Sequence, residues 1–299
     1  MAIKEFEIDD FNELISILIQ DSYYSNTSNR TKLTLLRQYS EIIIRKIINM
    51  GEGEPLLLGD VLHPKKGTKV HEKLQLIEKW RLKEFQEIIQ KVASWGNKHS
   101  HTQSISIGTV EDVRQAENTI LELVAFLFID YFLEYPIHLF TDRVILRAFS
   151  FLPPILRFKV LSYLYKKANG RNVVLVDKLL LSLVKTKGKN YTSDWLEQNQ
   201  EDLIKVDYPN QKTIEDFYSF CDFEVTIQLS NYKNIYELWK DKINDPRILS
   251  NESGQLYKNF EEALYYYKQN RIEDMLHDSI EREKFRDLLN FVYVGRKAH

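Results

Sequence analysis

Thr109–Leu133, TVEDVRQAENTILELVAFLFIDYFL, decides the fold class. It opens on Thr109 with Asp112 three residues later. A hydroxyl that accepts from an early amide and a carboxylate that reaches back to it form an N-cap signature. Its most hydrophobic part, Leu121–Leu133, carries Glu122 and Asp130 and is shorter than the roughly 20 residues a membrane-spanning helix needs. The stretch therefore reads as a capped helix buried in a core, and Tyr135-Pro136 ends it, because the residue before a proline disfavours helix.

Outward from this helix, helical patterns continue in both directions. Upstream, Asp10 with Glu13 is expected to cap a helix whose apolar face is Phe11, Leu14, Ile15 and Leu18. A second helix is predicted over Lys32–Met50, with Leu36, Ser40, Ile43 and Ile47 on one face, Arg37, Glu41 and Arg45 on the other, and Gly51 as a left-handed stop. Gly51–Lys69 reads as a connection holding one short helical turn at most. A long helix is then predicted over Glu72–Ser94, stopping at Trp95-Gly96-Asn97, before an extended stretch at Ser104–Gly108.

Downstream, a helix is expected over Ile155–Lys167 after Pro153-Pro154, with a turn at Asn169-Gly170. The run Val173–Val184, VVLVDKLLLSLV, fits a buried helix or a strand followed by a helix, and periodicity does not choose between them. Thr213 with Asp216 suggests a later cap, and Phe260–Tyr267 and Ile272–Val292 read as two amphipathic helices. The fold class is all-α, with a helical bundle over residues 1–135 and a second helical domain over 136–299. The helical texture of Tyr257–Leu276 has no second copy at a fixed period, so a repeat array is not supported.

Composition agrees with a folded chain: of 299 residues, 43% are hydrophobic and 28% charged, too apolar for general disorder. The lone Cys221 excludes an intramolecular disulfide framework and a multi-cysteine zinc site, reads as a buried thiol, and suits a reducing compartment. MAIKEFEIDD at the start has no apolar signal core, so a cytoplasmic location is expected. With 41 basic and 43 acidic residues, overall charge points to no polyanionic partner. No phosphate loop of the Walker type and no nucleophile elbow is present.

The richest local chemistry is Trp95-Gly96-Asn97-Lys98-His99-Ser100-His101. Two imidazoles and a carboxamide between long helices can grip phosphate or move protons near neutral pH. The structural alternative makes Gly96 a helix C-cap, Asn97 a turn residue and His101 a tie to the bundle. His99 and His101 find no third ligand at a confirming spacing, so no metal and no cofactor is expected.

Asn97 and His101 have the Asn-x-x-x-His spacing that resembles the HEPN superfamily (higher eukaryotes and prokaryotes nucleotide-binding domains), with Arg37 and Glu41 on the helix upstream. The resemblance covers roughly residues 30 to 135. It implies a helical bundle, pairing as a homodimer, RNA as partner, and metal-independent endoribonuclease chemistry, in a phage-defence or toxin-antitoxin setting. His101 would transfer protons, Asn97 would position phosphate, and His99 would stand beside them. Gly96 occupies the place where ribonuclease members carry arginine, which removes a fixed positive charge where charge develops in the transition state. Lys98 and Arg81 are the nearby cations considered as substitutes. The resemblance thus implies either an endoribonuclease or a degenerate RNA-binding site.

A second signal is a basic run. Phe151–Lys189 holds nine basic residues, Arg157, Lys159, Lys166, Lys167, Arg171, Lys178, Lys185, Lys187 and Lys189, against Asp177 alone. Such a surface attracts phosphate backbones without reading sequence. Lys98, Lys159, Lys166, Lys167 and Arg171 are the candidate nucleic-acid contacts. The acidic stretch Asp194–Glu224 that follows offers internal neutralisation as the alternative. The competing function is a non-catalytic helical adaptor that binds a protein partner.

Overall fold

The computed structural model describes residues 3–100, 105, 107–168, 172–208, 212, 215, 232–249 and 259–299. Every regular element among them is a helix. None is long and apolar enough to cross a membrane. Cys221, His101, Arg171 and the Thr213–Asp216 pair lie outside the described residues.

The chain forms two compact units. The first comprises Met1–Leu127 and Leu289–Lys297, the second Phe128–Leu288 with Ala298–His299.

In the first unit, α1 (Asn12–Tyr23) starts two residues later than the Asp10 reading. Phe11 holds the N-cap position without a side-chain bond. Asp10 sits in a 3-10 turn and pairs with Lys4 Nζ at 2.7 Å instead. α2 (Asn29–Ile47) begins before Lys32, because Ser28 Oγ accepts from Thr31 N at 3.2 Å and satisfies an early amide. Its stop is Asn49, at φ 53°, with Met50 N donating back to Arg45 O at 2.9 Å; asparagine tolerates this left-handed conformation. Gly51 has another role. A Cβ there would lie 2.2 Å from Glu5 O, so the glycine admits the N-terminal chain, and its N donates to Lys4 O at 2.8 Å.

The connection that follows holds one short helix, α3 (Leu58–Leu62), and a second, α4 (Lys69–Leu74), capped by Thr68, starts at its last residue. The helix expected from Glu72 is therefore broken, and its main part is α5 (Lys79–Ser100). Leu76, between the two helices, is 80% exposed. α5 buries Phe85, Ile89, Val92 and Trp95 and packs against α2. It runs through Trp95-Gly96-Asn97 without stopping, so Gly96 is a helix-interior residue and Asn97 is not in a turn.

α6 (Val110–Glu134) follows the expected signature. Thr109 N and Oγ1 donate to Asp112 Oδ2 at 2.8 and 2.7 Å, and Asp112 N donates to Thr109 Oγ1 at 3.1 Å.

In the second unit, α7 (Arg143–Ser150) is capped by Asp142, which also accepts from Arg282 Nε at 2.6 Å. Pro154 takes the first position of α8 (Pro154–Lys167), where its missing N–H costs nothing. Val173–Val184 is helix, the bulk of α9 (Val173–Lys187), capped by Asn172 and buried on nearly every side, which explains its lack of clear periodicity. α10 (Lys189–Gln198), α11 (Gln200–Leu203) and α12 (Ile235–Lys242) follow, then α13 (Phe260–Gln269).

Ile272–Val292 is not one helix. A 3-10 turn at Glu273–Met275 and a left-handed Asp278 (φ 76°) separate it from α14 (Ile280–Tyr293). Phe128, Phe132, Phe149 and Phe285 make the aromatic core, with centroids 5.0 to 6.5 Å apart.

Candidate phosphate-binding site on α2 and α5

Arg37 and Glu41 lie one turn apart on α2, and Arg37 Nε donates to Glu41 Oε1 at 3.1 Å. This is the usual reach of an i,i+4 pair, and it fixes the plane of the guanidinium. From there Arg37 Nη1 donates to Asn97 Oδ1 on α5 at 2.7 Å. Gly96 makes the approach possible. A Cβ at Gly96 would stand 2.8 Å from Arg37 Cδ, 3.2 Å from Cγ and 3.3 Å from Nη1. The arginine stem thus lies in the space that any other residue at position 96 would fill.

The neighbouring groups are committed elsewhere. Lys98 Nζ donates to Asp112 Oδ1 at 3.1 Å. The Thr109 hydroxyl and amide, with Lys98, hold the Asp112 carboxyl well below the usual carboxylate range. Arg81 lies near the other end of α5, buried, with its guanidinium 3.8 Å from the Phe126 ring centroid. Sixteen residues of helix put it about 24 Å from Asn97.

Gly108 (φ +77°) closes the approach to α6. Its carbonyl accepts from Asn29 Nδ2 at 3.3 Å, and a Cβ there would lie 2.8 Å from Leu33 Cδ1. Ile105, Ile107 and Val110 beside it are exposed.

Of the catalytic candidates, Asn97 is exposed on α5; His99 belongs to the same helix, but its side chain, like all of His101, lies outside the described residues. Among the described residues no three His, Cys, Asp or Glu side chains converge to hold a metal ion.

The basic run of the second unit is divided by burial. Arg157 is buried and donates from Nε to Leu152 O at 2.8 Å. Asp177 is buried and accepts from Trp239 Nε1 at 2.9 Å and Lys242 Nζ at 2.6 Å. Burial pushes the Lys178 ammonium down, and pushes that of Lys185 down to about 7 with help from Arg157 and Lys178. Lys166, Lys167 and Lys187 are exposed, and Lys159 is half-buried. Lys167 lies 5.8 Å from the Tyr163 ring centroid and edges a mostly apolar cleft of about 230 Å³ lined by Phe132, Pro136, Ile137 and Leu164.

Sequence reasoning placed Arg37 and Glu41 on one face of α2 but not against Asn97. The available signal was Gly96 itself, since a glycine inside a helical pattern usually has a packing reason. Comparison with known protein families, characterised proteins and solved structures returned no match.

Proposed function

We propose that this chain is a HEPN-like RNA-associated protein whose first unit engages phosphate at the outer end of α5. The observation that carries the reading is the 2.7 Å bond from Arg37 to Asn97. It brings a permanent positive charge to the carboxamide at the motif position that lacks its own arginine. An arginine fork beside an amide suits phosphate oxygens, and such contacts bind backbone without specifying sequence. His101 is the proton-transfer group if the site cleaves, by attack of a ribose 2'-hydroxyl without metal.

A second reading, a non-catalytic adaptor for a protein partner, draws on the exposed side chains of Ile105, Ile107 and Val110; contiguous exposed apolar groups mark contact surfaces.

The test is binding and cleavage of a mixed labelled RNA pool by wild type and His101→Ala, in chelator and at low salt. Cleavage by wild type alone identifies a metal-independent endoribonuclease. Binding without cleavage identifies a degenerate RNA site. Absence of both binding and cleavage sinks the RNA reading in favour of the adaptor.

A further inference from the structure

We infer that Arg37, seated on Gly96, is the phosphate-contacting cation of this site, and that Gly96 serves to hold it there. The inference rests on the RNA reading above and names the residue that performs it. A guanidinium offers five N–H donors in a planar fork. Glu41 takes the one on Nε, and Asn97 takes one on Nη1. The two on Nη2 and the second on Nη1 meet no acceptor among the described residues. Asn97 turns Oδ1 toward the arginine, which leaves its amide N–H groups as donors on an exposed residue.

The result is a set of donors gathered where α2 meets α5, with Glu41 holding the Nε of the fork from one turn along its own helix. A phosphodiester presents two non-bridging oxygens, each able to accept from such a fork or amide. A simple clip between α2 and α5 would need only the Arg37–Asn97 bond and would leave this donor set without a use. Glycine in a helix interior is also a poorer helix former than alanine. The three atoms nearest to a Cβ placed in the space it leaves all belong to Arg37.

The Gly96→Ala variant separates the two roles. Alanine favours the helix, but its Cβ evicts the Arg37 stem from beside Asn97. The experiment measures anisotropy of a fluorescein-labelled mixed-sequence single-stranded RNA against the full chain across a potassium chloride series, with thermal melts alongside. The proteins are wild type, Arg37→Ala, Gly96→Ala and the double variant. Arg37→Ala is expected to weaken binding roughly ten-fold or more and to make the salt slope shallower by about one. Gly96→Ala is expected to lose a similar factor without a lower melting temperature, and the double variant to bind no worse than Arg37→Ala.

Wild-type binding that either single variant retains in full overturns the inference and leaves the RNA reading to other cations such as Lys166. Losses that simply add in the double variant overturn the role given to Gly96. Absence of wild-type binding overturns both readings.

Discussion

In the first unit Arg37 shares Glu41 and Asn97 on a helix face where Glu41 is about one-third exposed. In the second, Asp177 is 9% exposed and holds Trp239 and Lys242. Burial alone would push the Asp177 carboxyl up, yet Lys242 and Lys178 outweigh it and keep it below its ordinary value. The interior cluster must satisfy its charge internally, because an unpaired buried ion costs several kcal/mol. Solvent reaches more of the first cluster, where the Arg37 and Glu41 side chains are 17% and 36% exposed, so its charges need less internal compensation. Charge density in a sequence therefore says little about available charge, as Arg157 and Lys185 in the basic run illustrate.

The largest effect that would sharpen this contrast is Asp177→Ala. It strands Lys242 and the Trp239 N–H, and is expected to lower unfolding stability by about 3 kcal/mol, read as a shifted urea midpoint at unchanged slope. A loss under about 1 kcal/mol would mean a solvated cluster, and the contrast would collapse.

Lys185→Met tests the same interior from the other side. Burial, with Arg157 and Lys178, brings Lys185 down to about 7 from an ordinary 10.5. Between those values the unfolded chain binds a proton that the folded chain declines, so this group makes stability rise with pH through the window and lowers it most below pH 7. The methionine variant is expected to gain about 2 kcal/mol at neutral pH. That gain should fade as pH approaches 10.5 in a series of denaturation curves.

Arg37→Ala is expected to change stability by less than about 1 kcal/mol, since part-exposed pairs contribute little, while affecting RNA affinity strongly. A large drop in melting temperature with unchanged affinity would make the first cluster structural as well. The smallest effect belongs to Lys98→Ala: its partnership with Asp112 is exposed on the lysine side, and stability should move by no more than about 0.5 kcal/mol. A similarly small change in affinity would separate Lys98 from the donor set of Arg37.

Helix identity was legible where the signal is local. Thr109 and Asp112 announce α6 because a cap is made within one turn, and Tyr135-Pro136 marks its end. Boundaries failed where a neighbouring segment intervened. Asp10 is diverted to Lys4, and Gly51 answers to Glu5 rather than to the helix before it. Val173–Val184 gave no decision because a helix buried all round has no polar face to set a period.

The amino-acid sequence by itself determined that this protein is all-α and that Asn97 stands at a polar motif on a helical frame, because capping and amphipathic periodicity act over a few residues. Only the tertiary structure decided that α5 continues through Gly96 and that Arg37, 60 residues away along the chain, lies in the space this glycine leaves. A contact of that kind depends on how two helices pack, and no local pattern encodes it.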